Sequence, residues 1–294
     1  MPGQNARFYH VVDVFTERVL EGNALAVFPQ GTEFADDVMQ KIARELNLSE
    51  TVFVLPSTRP DCAARLRIFT PFYELMFAGH PTVGTSFVLL AEGIVPPGTE
   101  RFLLEEGVGP VPVRVESGAR PLIWLTTPPI EYGPLFDRDA AAEALGLAVN
   151  ELLDIPPQLV SAGNPFIFVA LRNREAVDRA ALDKTGMRKF NTQHLAASGV
   201  FVFAPTTEGA YSRMFAPDHG IIEDPATGSA TGPLAAYMLR HNLVSGADGH
   251  RFISEQGTKM GRRSILHVRL EGQNGEHAIE VGGCVTPFAS GVLT

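Results

Sequence analysis

Two turns made of small residues, each leading straight into a predicted helix, carry the first candidate chemistry of this chain. One turn is Gly79-His80-Pro81 and the other is Gly228-Ser229-Ala230. A helix start presents backbone N–H groups and the positive end of the helix dipole, so it favours an anion such as a carboxylate. The alternative is that both turns only begin ordinary core helices. Because the turn occurs twice, we favour an anion-binding site.

Glu50 is the candidate for proton transfer. It follows a helix with one apolar face and precedes the apolar strand 52–55, so its carboxylate is predicted to lie among mostly apolar neighbours. Burial raises the pKa of a carboxyl group toward neutrality, which suits a group that both takes and gives a proton. The alternative is a solvated glutamate at a helix end.

His80 and Asp224 stand beside the two turns and are candidates for orienting a substrate by hydrogen bonds. The alternatives are a buried histidine at a helix start and an aspartate that only caps the approach to a helix. The other histidines show neither His-x-His nor His-Glu-x-x-His spacing, so no zinc site is predicted. The two cysteines, Cys62 and Cys284, lie far in sequence from both turns and are expected to pack in the core. The adjacent carboxylates Glu105 and Glu106 are expected to be solvated at a turn.

The net charge of the chain disfavours two classes of binding partner. The 294 residues carry 24 Lys plus Arg against 33 Asp plus Glu, a net charge of −9, which disfavours binding to nucleic acid or to an anionic membrane. The longest apolar runs, 87–91 and 166–171, are far shorter than the ~20 residues of a membrane span. The first seven residues lack the pattern of a signal peptide. A cytoplasmic protein is the expectation.

The elements that must position these residues are short, because 28 glycines and 22 prolines punctuate the chain. Helices are predicted over about residues 34–47, 81–91 and 231–243, with shorter surface helices over 137–145 and 174–180. Strands are predicted over residues 8–15, 25–28, 52–55, 64–69, 111–116, 122–126, 166–171, 200–203, 211–215, 264–270 and 278–281. Many strands around few helices, without regular alternation, predict an α+β fold.

An internal repeat sets the domain count. Val52-Phe53-Val54 recurs as Val200-Phe201-Val202, and Arg67-Ile68-Phe69 recurs as Arg213-Met214-Phe215, at offsets of 148 and 146 residues. The two glycine turns follow in the same order at an offset of 149 residues. Three matches at nearly one offset, close to half the chain length, indicate two similar halves.

The repeat predicts one half at residues 1–127, completed by a strand at about 284–294, and another at residues 128–283. A proline-rich segment, 128–134, separates them, and the active site is expected in the cleft between the halves. Ser198 in the second half corresponds to Glu50 in the repeat. The predicted site is therefore asymmetric and has one strong base.

Five blocks occur in one order along the chain: 21–28 (EGNALAVF), 47–54 (NLSETVFV), 69–74 (FTPFYE), 77–85 (FAGHPTVGT) and 223–230 (EDPATGSA). They resemble the signature blocks of the PhzF-like proteins of phenazine biosynthesis, and the resemblance covers nearly the whole chain. It implies a diaminopimelate-epimerase-like fold, in which each half is a curved, mostly antiparallel sheet wrapped around a central helix. It also implies a homodimeric isomerase without cofactor or metal, such as one acting on trans-2,3-dihydro-3-hydroxyanthranilate.

The resemblance also implies roles for single residues. The acid/base glutamate of the family falls on Glu50, its active-site histidine on His80 and its aspartate on Asp224. Its backbone-donor turns fall on Gly79 and on Gly228 with Ser229, which would bind the substrate carboxylate and the charge that develops. These six residues are the predicted site residues, and no metal ligand is among them.

Two departures from the patterns of related proteins bear on the predicted reaction. Related epimerases use a thiolate at each turn, and here those positions are Ala78 and Thr227, which cannot act as thiolates. A two-thiol epimerase is therefore excluded. Met76 stands where the family usually has proline, which leaves the substrate open.

The sequence thus predicts a cofactor-independent isomerase that moves a proton within a small carboxylate-bearing substrate. Glu50 is the general base and acid, and His80 and Asp224 orient the substrate or its amine. Two alternatives stay open: a racemase or epimerase that uses Glu50 with a second base, and a binding protein on the same scaffold that has no turnover.

Overall fold

The computed structural model describes residues 7–190, 197–272 and 278–294. Its α-helices are α1 (Asp36–Leu46), α2 (Gly79–Ala91), α3 (Arg138–Leu145), α4 (Arg174–Arg179), α5 (Lys184–Phe190) and α6 (Gly228–Arg240). Its strands are β1 (Arg7–Val14), β2 (Asn23–Phe28), β3 (Glu50–Leu55), β4 (Ala64–Phe69), β5 (Glu74–Leu75), β6 (Arg101–Glu106), β7 (Gly109–Glu116), β8 (Leu122–Thr126), β9 (Glu131–Leu135), β10 (Gln158–Ser161), β11 (Pro165–Ala170), β12 (Gly199–Thr206), β13 (Gly209–Ala216), β14 (Ile221–Asp224), β15 (Arg251–Gln256), β16 (Ser264–Glu271), β17 (Ala278–Gly283) and β18 (Val285–Leu293).

The chain divides into two compact units. The first unit comprises Met1–Thr126 together with Gly282–Thr294, and the second comprises Thr127–Val281. Each unit contains one long buried helix, α2 in the first and α6 in the second. Each of these two helices follows one of the glycine turns.

The strands of the first unit pair mainly antiparallel. β1 lies between β18 and β2, and it is antiparallel to both. β2 and β3 are parallel, β3 and β4 are antiparallel, and β4 continues into the short antiparallel strand β5. β6 pairs parallel to β4, and β7 and β8 follow as antiparallel neighbours.

The strands of the second unit repeat this order. β10 lies between β9 and β11 and is antiparallel to both, and β11 pairs parallel to β12. β13 is antiparallel to β12 and β14 and parallel to β15, which pairs antiparallel with β16. The same sequence of parallel and antiparallel pairs in both units confirms the internal repeat and the α+β class.

The long helix of each unit is buried on nearly all sides, as a helix surrounded by a curved sheet must be. In α2 every residue from Gly79 to Ser86 is buried, and the helix packs against β1, β2, β3 and β8. A Cβ atom on Gly84 would lie 2.6 Å from Leu25 Cδ2 and 2.7 Å from Val14 Cγ2. Glycine at this position therefore lets α2 approach the sheet closely. In the second unit, α6 packs against β10, β11 and β16.

Both long helices begin earlier than the sequence predicts. α2 begins at Gly79 and not at Pro81, and α6 begins at Gly228 and ends at Arg240, where the sequence predicted 231–243. Pro81 is the third residue of α2, where a missing N–H costs little because the first N–H groups of a helix have no partner within it. The earlier starts place the glycines inside the first helical turn.

Part of the segment 128–134, predicted to be a linker, is a strand. β9, Glu131–Leu135, pairs antiparallel with β10, Gln158–Ser161. The two strands are separated by more than 20 residues of intervening chain, so local sequence could not show the pairing. Residues 127–130 have no regular structure.

Candidate active site

Glu50 and His80 contact one another in the first unit. α1 ends at Asn47, a C-cap with left-handed backbone (φ 51°), and the chain then enters β3 at Glu50. Glu50 pairs with Leu25 in the parallel β2–β3 ladder, while His80 is the second residue of α2. His80 Nε2 lies 3.0 Å from Glu50 Oε2. Two predicted site residues, 30 positions apart in sequence, are thus in direct contact.

The hydrogen-bond partner of His80 fixes its tautomer. The side chain of Asn23 places its Nδ2 atom 3.4 Å from His80 Nδ1. An amide nitrogen can only donate, so Nδ1 accepts, and the neutral imidazole carries its hydrogen on Nε2. Burial lowers the pKa of His80 from 6.5 to about 3, which keeps the ring neutral. An Nε2–H group therefore lies beside the Glu50 carboxyl group, 3.0 Å from Oε2, without the alignment of a formed hydrogen bond.

Glu50 remains partly open to solvent while His80 does not. The side chain of Glu50 is 14% exposed and that of His80 is 5% exposed. Burial raises the pKa of the Tyr73 phenol, and the negative charge of nearby Glu50 raises it further. The carboxyl group of Glu50 thus has a buried neighbour on one side and keeps a small exposed fraction.

The start of α2 carries Gly79 at its first position. The preceding residue, Ala78, has extended backbone (φ −153°, ψ 132°), and no described side chain caps the helix there. Thr82 in the first turn donates from Oγ1 to the carbonyl oxygen of Ala78 at 2.7 Å. The N–H groups of this turn are suited to an anion by their direction and by the helix dipole.

The second predicted set lies at the start of α6. Asp224 is buried, and Thr227 Oγ1 donates to its Oδ2 at 2.6 Å. Gln256 Nε2 donates to the backbone oxygen of Asp224 at 2.8 Å, and Gln256 Oε1 accepts from the N–H of Thr227 at 3.1 Å. Gly228 and Ser229 are the first two residues of α6. Hydrogen bonds therefore hold the turn between β14 and α6 in one conformation.

A family described as "Phenazine biosynthesis-like protein" (PhzC-PhzF) matches residues 12–291. The trans-2,3-dihydro-3-hydroxyanthranilate isomerase of Pseudomonas aeruginosa is 37% identical over 287 residues, which cover 96% of this chain and 98% of that protein. The chain belongs to the PhzC-PhzF family. It is an isomerase.

Solved structures share the fold of this chain. A PhzF-family phenazine biosynthesis protein of Bacillus anthracis superposes with a TM-score of 0.88 at 23% identity, covering 98% of this chain and 99% of that one. A probable proline racemase of Agrobacterium radiobacter shares the fold with a TM-score of 0.70 at 15% identity, covering 98% of this chain and 92% of that one. The predicted diaminopimelate-epimerase-like class is confirmed.

The structure brings the predicted residues of this PhzC-PhzF protein together in two sets. Glu50, Gly79 and His80 belong to the first unit. The remaining three, Asp224, Gly228 and Ser229, belong to the second unit. The six roles remain predictions.

Sequence reasoning missed three residues around Glu50 and His80. Asn23 and Tyr73 lie inside blocks that resemble the family, but no local pattern shows that they reach His80 or Glu50. Glu106 was expected to be solvated and is instead 5% exposed. In β6 it follows Leu104 on the buried face of the strand, and this alternation was the signal that could have revealed it.

The described residues provide neither a metal-binding cluster nor a membrane-spanning helix. Within residues 7–190, 197–272 and 278–294, no group of three or more His, Cys, Asp or Glu side chains could hold a metal ion. His194 and His277 lie outside these ranges, as do residues 1–6. Over the same ranges, no helix is long and apolar enough to cross a membrane. Cys62 and Cys284 are both buried, as expected.

Proposed function

We propose that this isomerase moves a proton within a small carboxylate-bearing substrate similar to 2,3-dihydro-3-hydroxyanthranilate, with Glu50 as the single acid/base group. The contact of 3.0 Å between Glu50 Oε2 and His80 Nε2 carries the proposal, because it places a carboxyl group beside a neutral imidazole in a largely buried place. The relative that acts on such a compound by its name is more than a third identical over almost the whole chain.

In the proposed reaction, Glu50 removes a proton from one carbon of the substrate and returns it to another carbon on the same face. The Nε2–H of His80 lies beside Glu50 Oε2, which leaves Oε1 for the proton in transit. A neutral imidazole stabilises the carboxylate without neutralising it, so the base keeps its strength. One shuttle on one face gives migration of hydrogen rather than inversion.

Substrate binding is assigned to the helix starts. We propose that the backbone groups of Gly79, Gly228 and Ser229 bind the substrate carboxylate and the negative charge that develops during proton transfer. Asp224, held by Thr227, orients the substrate or its amine. These assignments need neither a cofactor nor a metal ion.

The test is proton exchange in deuterated water with trans-2,3-dihydro-3-hydroxyanthranilate as the substrate, using enzyme treated exhaustively with a chelator. We expect an isomerised product and deuterium incorporation that ceases in Glu50→Gln. Retention of configuration with migration supports the single shuttle, whereas inversion at one carbon indicates an epimerase with a second base. Binding without exchange indicates a protein without turnover, and activity restored only by one metal contradicts the cofactor-free proposal.

We further propose a cytoplasmic homodimer, since two-fold pairing is the commonest assembly and the resemblance implies one. Light scattering at micromolar concentration should give twice the mass of the chain. A monomeric mass would contradict the dimer, and fractionation of cells would test the location.

A further inference from the structure

Glu106 is a buried carboxyl group that the proposed reaction does not use. It ends β6 and reaches the first turn of α2, where its Oε1 lies 2.6 Å from Thr82 Oγ1. The backbone N–H of Ala78 also interacts with the carboxyl group. Its Oε2 is buried and has no hydrogen-bond partner among the described residues. An ionised carboxylate in this place would leave much of its charge uncompensated.

A count of hydrogens shows which form of Glu106 fits. Thr82 Oγ1 lies 2.7 Å from the carbonyl oxygen of Ala78 and 2.6 Å from Glu106 Oε1, and both distances are those of good hydrogen bonds. The threonine hydroxyl has one hydrogen to donate. Both contacts are satisfied together only if the hydroxyl donates to Ala78 and Glu106 donates to the hydroxyl. That arrangement requires the acid form of Glu106.

The second unit has a neutral group at the same place. Gln256 ends β15 as Glu106 ends β6, at an offset of 150 residues, close to the offset between the two glycine turns. Its Oε1 accepts from the backbone N–H of Thr227, and Thr227 answers Ala78 in the repeat. Thr231 repeats the bond of Thr82, donating to the carbonyl oxygen of Thr227 at 3.0 Å. A permanently neutral amide thus supports α6 where a carboxyl group supports α2.

We propose that Glu106, in its neutral acid form, is a positioning residue that holds the first turn of α2, with Gly79 and His80, and that its ionisation releases this turn. The inference rests on the proposed roles of Gly79 and His80. On ionisation Glu106 can only accept, so the Thr82 hydroxyl hydrogen turns to it, and the Ala78 carbonyl keeps only the longer bond from the backbone N–H of Thr82 at 3.3 Å. The helix start that carries both site residues then loses part of its support.

The surroundings of Glu106 agree with an acid form at neutral pH. Burial raises the pKa of Glu106 to about 8, against the smaller opposing effects of Thr82 and Ala78. The titratable and charged groups on the neighbouring elements are His80 on α2, Arg65 and Arg67 on β4, Glu74 on β5, Arg114 and Glu116 on β7, and Arg101 and Glu105 on β6 itself. Among the described residues, the ion pairs of these elements do not include Glu106.

The adjacent Glu105 supplies a matched control. Its carboxylate accepts from Ser57 and Thr58 at the surface, and these hydrogen bonds lower its pKa to about 2. It is therefore ionised throughout the range in which Glu106 titrates. Glu105→Gln and Glu106→Gln make the same chemical change one residue apart, on opposite faces of β6.

The first measurement is infrared difference spectroscopy, which needs no substrate. Below neutral pH we expect the carbonyl band of a protonated carboxylic acid in the parent and in Glu105→Gln, and its absence in Glu106→Gln. The band should disappear with a midpoint near pH 8. If the parent lacks this band, or if Glu106→Gln retains it, the acid form is disproved, whatever reaction the enzyme catalyses.

The second measurement is the dependence of kcat on pH. The parent and Glu105→Gln should lose activity above about pH 8, and Glu106→Gln should not. Glu106→Ala should lower kcat about 10- to 100-fold at neutral pH through misplacement of the turn, and Glu106→Gln should restore it to within about twofold. An alkaline loss that persists in Glu106→Gln would contradict the positioning role. A failed reaction assay with an intact infrared result would instead count against the proposed function alone.

Discussion

The two helix starts of this chain share one scaffold and differ in what can ionise. At the start of α2 the first unit places Glu50, His80 and Glu106 around the glycine turn. The corresponding residues of the second unit are Ser198, Ser229 and Gln256. The matched positions lie at the same places in the two units, but the residue types that occupy them differ. Neutral hydrogen-bonding groups thus match these three titratable residues, while the α6 start has a buried carboxyl group of its own, Asp224.

A second contrast concerns two arginines at matched positions, Arg67 on β4 and Arg213 on β13. Arg67 pairs with Glu74 at 2.7 Å, and its side chain is 15% exposed beside an exposed Asp36. Arg213 pairs with Glu223 at 2.7 Å with both side chains largely buried, and it also donates to the carbonyl of Ala180 at 2.7 Å. The corresponding ion pair is thus partly exposed in the first unit and largely buried in the second.

The largest expected effect comes from the base that only the first unit has. Glu50→Gln should lower kcat by at least about 10²- to 10⁴-fold, because the amide cannot accept a proton. Product affinity should change little, since the helix starts that bind the carboxylate are untouched. Ser198→Ala, at the matched position, should leave kcat within about twofold. Turnover by Glu50→Gln within about tenfold of the parent would contradict the shuttle, and loss of folding would indicate a structural carboxylate.

The next effect should appear in the free energy of unfolding. Arg213→Ala leaves the buried Glu223 carboxylate and a backbone carbonyl without their donor, and it should cost about 3–5 kcal/mol. Arg67→Ala, in a more exposed pair, should cost about 1 kcal/mol or less. Urea unfolding of the two variants measures the difference. Equal losses would show that the two ion pairs do not differ as their burial suggests.

The last effect should appear on acidification, as a slope of stability against pH that accumulates over several pH units. The pKa of His80 falls from 6.5 to about 3 on folding, so between these values the unfolded chain binds a proton that the folded chain does not. Stability should therefore decrease as pH falls through this range, by up to about 1.4 kcal/mol per pH unit. His80→Asn should show a shallower decrease, whereas Ser229→Asn, at the matched position, should follow the parent. Parallel curves for the parent and His80→Asn would contradict a neutral His80.

The sequence was sufficient where function and fold depend on local pattern. The repeat and the small-residue turns predicted two similar halves and the helices that follow Gly79 and Gly228, and the family blocks pointed to Glu50 and His80. The strands β6, β9 and β15 were missed because distant partners, not their own residues, define them. The strand predicted at about 284–294 is present as β18.

Within the site, the sequence could not predict contacts between side chains that are distant along the chain. Asn23 meets His80 from 57 residues away, and nothing in its local sequence marks it as the group that fixes a tautomer. Glu106 was assigned to solvent because an adjacent pair of glutamates before a glycine is typical of a turn. Its burial depends on the Thr82 turn of α2, which only the folded chain brings beside β6.

The pairing of β1 with β18 has a consequence for the order in which the chain can fold during synthesis. The second unit, Thr127–Val281, is one continuous stretch, whereas the first needs Gly282–Thr294. The ribosome therefore delivers every residue of the second unit before the strand that covers the outer edge of β1. We expect the first unit to be completed after the second, because β1 stays open to other strands until Gly282–Thr294 has been synthesised.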